Sequence, residues 1–187
     1  MSGNLKVTAT EIPGVLILEP RVFGDERGFF LESFNQRAFN EATGMDVQFV
    51  QDNHSRSAKG VLRGLHYQVA PHAQGKLVRV VRGSVFDVAV DIRPRSATYG
   101  RWVGVELTEH NHQQVWVPPG LAHGFLVTSE SADFLYKTAS YYEPAAERCI
   151  AWNDATLAIN WPLQGMQPAL SGKDALAPSL SDAISRS

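Results

Sequence analysis

Residues 75–94, GKLVRVVRGSVFDVAVDIRP, constrain the fold more than any other stretch of the chain. Two short valine-rich runs are split by Arg82-Gly83-Ser84, a turn signal, and so read as consecutive strands. Side chains alternate along a strand. In the second run this puts Phe86, Val88, Val90 and Ile92 on one face, and Asp87, Ala89, Asp91 and Arg93 on the other. The pattern recurs in VLILEP (15–20), WVGVEL (102–107), QVWVPP (114–119), GFLVTS (124–129) and DFLYKTA (133–139). The polar TEHNHQ, Pro119-Gly120 and Ser129-Glu130-Ser131 separate them. Short strands at close spacing predict an all-β sandwich or barrel. NQRAFNEAT (35–43) is the one helix expected early, with Gly44 at its stop position. Beyond Trp161-Pro162 the chain turns loop-like. Ser171 and Asp174 there have capping-box-like spacing for a short terminal helix, and the last residues are expected to be loose.

Composition narrows the function. The 187 residues suit one domain spanning 1–187, with about 163–187 as a C-terminal arm or short helix. Lys plus Arg number 17 against 19 Asp plus Glu, a net charge of −2, which gives nucleic acid and acidic membrane surfaces no support as partners. A single cysteine, Cys149, permits no intrachain disulfide and suits a reducing compartment; its bland role is apolar filler. The start, MSGNLKVTATE, lacks the character of a signal peptide, and no run is long enough to span a bilayer. The expectation is a soluble cytoplasmic protein.

GVLRGLHYQ (60–68) reads as a strand yet carries Arg63 and His66, which an apolar strand would exclude. RGLHYQ and PPGLAHGF resemble the two halves of the cupin pattern. Where a metal-binding cupin shows His-x-His, this chain has His66-Tyr67-Gln68, so too few ligands remain for a metal site. His110-Asn111-His112 has ligand-like spacing but falls in a polar connection and reads as a solvated turn. A lone histidine is ordinarily a satisfied core residue. That reading weakens for His66 because Arg63, Lys76, His123, Tyr136 and Lys137 fall in or beside other strands of the same barrel, and convergent polar groups suggest a pocket. Arginine and lysine suit an anion such as a phosphate, and histidine and tyrosine suit a base and an acid. One difficulty stands. Arg63 and His66 have opposite parity and should face opposite sides of a regular strand, unless Gly64 hosts a bulge.

Longer stretches carry a family resemblance: VFGDERGFFLESFN (22–35), FVQDNHSRS (49–57), KGVLRGLHYQ (59–68), QGKLVRVVRGSVFDVAVDIR (74–93), WVPPGLAHGFLV (116–127), FLYKT (134–138), WNDATLAINWP (152–162) and LSGKDA (170–175). On these the chain resembles the dTDP-4-dehydrorhamnose 3,5-epimerases along nearly its whole length. The resemblance implies a cupin-type antiparallel jelly-roll barrel with a few short helices. It also implies a cofactor-independent, metal-free isomerase acting on a dTDP-4-keto-6-deoxyhexose. The ketone acidifies the hydrogens at C3 and C5; a base removes one, an enolate forms, and an acid returns a proton to the opposite face.

By that resemblance His66 is the base, Asp174 orients it, Tyr136 is the acid and Lys76 stabilises the enolate. Unaided, Asp174 reads as the capping partner of Ser171 and Tyr136 as a half-buried strand tyrosine. Tyr141 and Tyr142 are decoys for the acid, and one of them is expected instead to shape the pocket. Arg27, Glu32, Gln51, Asn53, Arg63, His123, Glu147 and Lys173 match ligand-contacting positions, with Arg63 on the diphosphate. The resemblance further implies a homodimer in which the Arg27–Glu32 segment reaches the neighbouring subunit's site. Rival readings are an epimerase of C3 or C5 alone, a non-catalytic nucleotide-sugar-binding jelly roll, and a metal-dependent cupin oxygenase.

Overall fold

The computed structural model describes residues 5–185. The expected loose last residues (186 and 187) lie outside them, as do the first four residues of the stretch read for a signal peptide. In chain order the elements are β1 (Leu5–Ala9), β2 (Leu16–Pro20), β3 (Val22–Asp25), β4 (Gly28–Leu31), α1 (Gln36–Thr43), β5 (Gln51–Ala58), β6 (Leu62–Gln68), β7 (Lys76–Arg82) and β8 (Ser84–Asp91). They continue with β9 (Trp102–Thr108), β10 (Gln114–Val117), β11 (Leu121–Val127), β12 (Ser131–Thr138), β13 (Glu147–Cys149), α2 (Gly172–Ala175) and α3 (Leu180–Ser185). β1-β2-β10-β7-β12-β5 form a six-stranded sheet and β13-β6-β11-β8-β9 a five-stranded one; β3 and β4 stand apart as a hairpin. Every pairing between these strands is antiparallel. The fold is a cupin-type jelly-roll barrel with a few short helices.

The alternation in 84–91 now has its cause. Val85 and Ala89 pack inside the barrel with Val78, Val80, Val115, Val117, Phe125 and Phe134. Val88, Val90 and Ile92 face outward, under a cover of Ile150, Leu157, Trp161, Leu180 and Ala183 from the chain beyond the barrel. Both faces of β8 are therefore dry, so it reads as almost continuously apolar. On the outer face of the six-stranded sheet, α1 seats Phe39 against Trp116 and Phe49, edge-to-face, at 5.5 and 5.3 Å between ring centroids. Gly44 ends α1 at φ 70°, as its sequence predicts, while Asn35, read as the first helical residue, instead caps the helix by accepting from Ala38 N–H.

Several strand starts differ from the sequence reading. β11 begins at Leu121 and β12 at Ser131, before the expected 124 and 133, which brings His123 into a strand; β6 begins at Leu62. β5, QDNHSRSA, escaped the strand reading because it has almost no apolar residues. Its inward face is the row Gln51, Asn53, Ser55 and Ser57, which lines the polar part of the barrel interior. The terminal helix predicted at Ser171 is the single turn α2, capped by Ser171, and a second helix, α3, follows it.

Candidate active site

The barrel interior changes character along its strands. On β7 the inward row runs Lys76, Val78, Val80; on β12 it runs Tyr136, Phe134. At the Lys76 and Tyr136 end the apolar filling stops, and a cavity opens among Ser55, Arg63, His66, Lys76, His123, Phe125, Phe134 and Tyr136. Arg63, His66 and His123 come from the five-stranded sheet, Lys76 and Tyr136 from the six-stranded one, so the two groups face each other across one space.

The parity difficulty is resolved by a bulge. The two-residue step from His123 to Phe125 on β11 spans the three-residue step from Arg63 to His66 on β6. The extra residue lets both side chains enter the cavity. Gly64 makes this possible: its φ is +127°, and a Cβ there would meet Gly124 Cα at 2.6 Å and His123 O at 2.9 Å.

His66 Nε2 lies 2.5 Å from Asp174 Oδ1, and the Asp174 side chain is 3% exposed. The capping reading of Asp174 holds as well. Ser171 Oγ accepts from Asp174 N–H at 3.1 Å and donates to Asp174 Oδ2 at 2.8 Å, so one oxygen is fixed by the cap and the other by the imidazole. Burial works to raise the Asp174 carboxyl, but His66, Ser171 and Lys173 outweigh it and hold the group below its ordinary value. An ionised Asp174 only accepts, so His66 Nε2 is the donor of this pair, and in the neutral imidazole that tautomer leaves the lone pair on Nδ1.

Lys76 is brought down to about 8, first by burial; Glu147 and Asp87 pull it back up and Lys173 pushes it further down. It is still an ammonium at neutral pH. Tyr136 is raised, chiefly by burial against the pull of Arg63, and so is a neutral phenol with a proton to give.

The remaining expected residues fall into three groups. Arg63, whose Nε donates to Ser57 Oγ at 3.0 Å, and His123 line the cavity. Gln51, Asn53, Glu147 and Lys173 form linked pairs on the elements around it. Gln51 Nε2 donates to Asn53 Oδ1 at 3.0 Å, and Lys173 Nζ meets Glu147 Oε1 at 2.7 Å. Glu147 is held below its ordinary value: burial opposes this, but Lys173 and Tyr142 prevail. Arg27 and Glu32 do not join the cavity. Arg27 is 85% exposed at the β3–β4 turn and pairs with Asp25, while Glu32 accepts from Asn35 Nδ2 at 2.6 Å.

Lys137, grouped with the converging residues by its strand, is a correction. It alternates with Tyr136, faces outward, donates to Asp52 Oδ2 at 2.8 Å and lies over the Phe34 ring. Tyr142 donates to Glu147 Oε2 at 2.8 Å, and Tyr141 is 70% exposed.

Sequence reasoning missed Asp87. It is 1% exposed and its Oδ2 lies 2.8 Å from His123 Nε2, a second buried carboxylate–imidazole pair. The available signal was an aspartate in the valine run FDVAV, on the face opposite the valines. Among the described residues, no three His, Cys, Asp or Glu side chains are grouped to hold a metal ion. No helix among them is long and apolar enough to cross a membrane.

A family model for dTDP-4-dehydrorhamnose 3,5-epimerase matches residues 9–182. The chain is 62% identical over 170 residues to such an epimerase from Shigella flexneri, covering 91% of this chain and 93% of the relative. It is 60% identical over 179 residues to one from Pseudomonas aeruginosa, covering 96% and 98%. It also superposes, with a TM-score of 0.91 and 54% identity, on a crystal structure from Legionella pneumophila, covering 95% of this chain and 93% of that one. That protein is a dTDP-6-deoxy-D-glucose-3,5-epimerase in complex with dTDP-4-keto-L-rhamnose.

Proposed function

The chain belongs to the dTDP-4-dehydrorhamnose 3,5-epimerase family, and we propose that its barrel cavity performs that family's reaction with His66 as base and Tyr136 as acid. The enzyme is an isomerase of dTDP-rhamnose biosynthesis. It inverts C3 and C5 of dTDP-4-dehydro-6-deoxy-D-glucose to give dTDP-4-dehydro-L-rhamnose. The observation that carries the residue assignment is the pairing of His66 with ionised Asp174 on one wall of the cavity, facing Tyr136 and Lys76 on the other.

His66 Nδ1 takes the proton from C3 or C5, and the C–H electron pair moves toward the C4 ketone, leaving an enolate oxygen. Asp174 steadies the imidazolium that forms. The Lys76 ammonium stabilises the enolate oxygen, a contribution of about 3–4 kcal/mol for a donor of this kind. Tyr136 then donates its phenolic proton to the carbon from the opposite face. Afterwards the imidazolium loses a proton and the phenolate regains one. No electrons leave the substrate, so the chemistry needs no nicotinamide. Arg63 takes the diphosphate, and His123, Gln51, Asn53, Glu147 and Lys173 contact the rest of the ligand.

The working form is proposed to be a homodimer in the cytoplasm. What supports a dimer is the β3–β4 hairpin, which leaves Phe29 and Phe30 64% and 69% exposed and carries Arg27 away from its own cavity. Across a two-fold axis this hairpin would bring Arg27 and Glu32 to the partner's site.

The test is proton NMR in D2O with dTDP-4-keto-6-deoxyglucose and a coupled reductase with NADPH to trap product. Deuterium at both C3 and C5 in a rhamno-configured sugar is expected. Deuterium at one carbon would make the enzyme a single epimerase. No exchange with dTDP binding intact would withdraw the roles of His66 and Tyr136.

A further inference from the structure

We propose that Asp154, outside the cavity, is a positioning residue for the His66–Asp174 pair, acting through the C-terminal arm. The inference rests on the reading of that pair given above.

Asp174 does not come from the barrel. It rides on the segment after Trp161, and that segment is tied down on either side of it. On the N-terminal side, Ala169 makes a parallel bridge to Val61, with Leu62 N–H donating to Ala169 O at 3.0 Å and Ala169 N–H to Gly60 O at 2.8 Å. Between Ser171 and Ala177 the backbone bonds are local: Ala175, Leu176 and Ala177 bond back to Ser171, Lys173 and Asp174. On the C-terminal side, Ala151 N–H donates to Pro178 O at 2.7 Å and Leu180 N–H donates to Asp154 Oδ2 at 2.8 Å.

Asp154 is 7% exposed, and its other oxygen, Oδ1, accepts from Thr156 and Leu157 N–H, both at 2.9 Å. One buried carboxylate thus joins a turn packed on the barrel to the start of α3. Leu180 and Ala183 of α3 then complete the apolar cover over β6, the strand that carries His66. The register of the arm sets where Asp174 meets the imidazole, and Asp154 fixes that register. Small displacements of a catalytic group are costly in rate.

Asp154→Asn tests this selectively. An amide has one acceptor oxygen, so it cannot accept from both Leu180 N–H and the 156–157 turn as the carboxylate does. The expected result is a kcat lower by roughly ten-fold or more, with the Kd for dTDP essentially unchanged. In an Asp174→Ala background, Asp154→Asn should lower kcat no further, because residues acting through one group are not additive. Unchanged kcat in folded Asp154→Asn, or an equal loss in both backgrounds, would overturn the proposal. Near-normal kcat in Asp174→Ala alone would instead overturn the underlying assignment. If Asp154→Asn does not fold, Asp154→Glu keeps the charge and both acceptor oxygens but moves them by one methylene, shifting the tie to Leu180 N–H without touching the apolar cover. The same two comparisons then decide.

Discussion

At the scale of the residue, the cavity holds groups whose surroundings set their charge for the proposed chemistry. His66→Ala should reduce kcat by roughly 10²–10⁴-fold while the Kd for dTDP, measured by calorimetry, stays near that of the parent. Substitutions at Gln51 or Asn53 should do the reverse, raising KM with a smaller change in kcat. Lys76 makes a pH prediction. Its folded value is about 8, so turnover should fall as pH rises through about 8 and the ammonium facing the enolate is lost. The sign for stability follows from the same shift. The unfolded chain holds this proton up to its ordinary 10.5 and the folded chain only to about 8, so the buried ammonium costs stability below pH 8. That cost fades between the two values. Lys76→Met should therefore be more stable than the parent at pH 7, by about 1 kcal/mol, as well as nearly inactive. A melting temperature lowered by this substitution would contradict the account.

At the scale of the element, β6 depends on its bulge. Gly64→Ala places a side chain at φ +127° and drives its Cβ to 2.6 Å from Gly124 Cα, where only backbone could yield. Gly60 and Gly165 also have positive φ, 77° and 83°, but a Cβ at either meets nothing within 4 Å. Gly60→Ala and Gly165→Ala should then each cost about 1 kcal/mol, and Gly64→Ala several times that. Urea titrations of the three variants would rank them. Gly64→Ala should also lose activity beyond its stability loss, because the bulge is what turns Arg63 and His66 into one cavity.

At the scale of the whole molecule, the proposed dimer makes each site a joint product of two chains. Arg27→Ala and His66→Ala homodimers should both be impaired. When the two are dissociated and mixed, heterodimers regain one site with His66 from one subunit and Arg27 from the other. Random pairing predicts recovery of roughly a quarter of parental activity. No recovery, from a mixture shown by native mass spectrometry to contain heterodimers, would remove Arg27 from the partner's site. Replacing Phe29 and Phe30 together with serine should shift the protein toward monomer in sedimentation and lower activity with it.

The valine runs at 76–92 and the breakers at Arg82-Gly83-Ser84 made the antiparallel strands legible from the chain alone, because a period of two and a turn signal are local properties. So were α1 with its Gly44 stop, and the Ser171 cap. The parity of Arg63 and His66 posed the right question but could not answer it, since a bulge exists only against a partner strand, here β11. β5 was hidden because a strand that lines a polar cavity lacks the apolar signature by which strands are read. Asp174 looked like a cap from its neighbours in sequence, and it is one. Its second role depends on the chain returning 108 residues later to His66. Lys137 and Tyr136 are adjacent in sequence, and only the inward and outward faces of β12 separate them. Pattern in the chain determined the elements and their residue types. Which side chains meet was decided by sheet pairing and arm docking, because contact across a barrel depends on registers that no local sequence encodes.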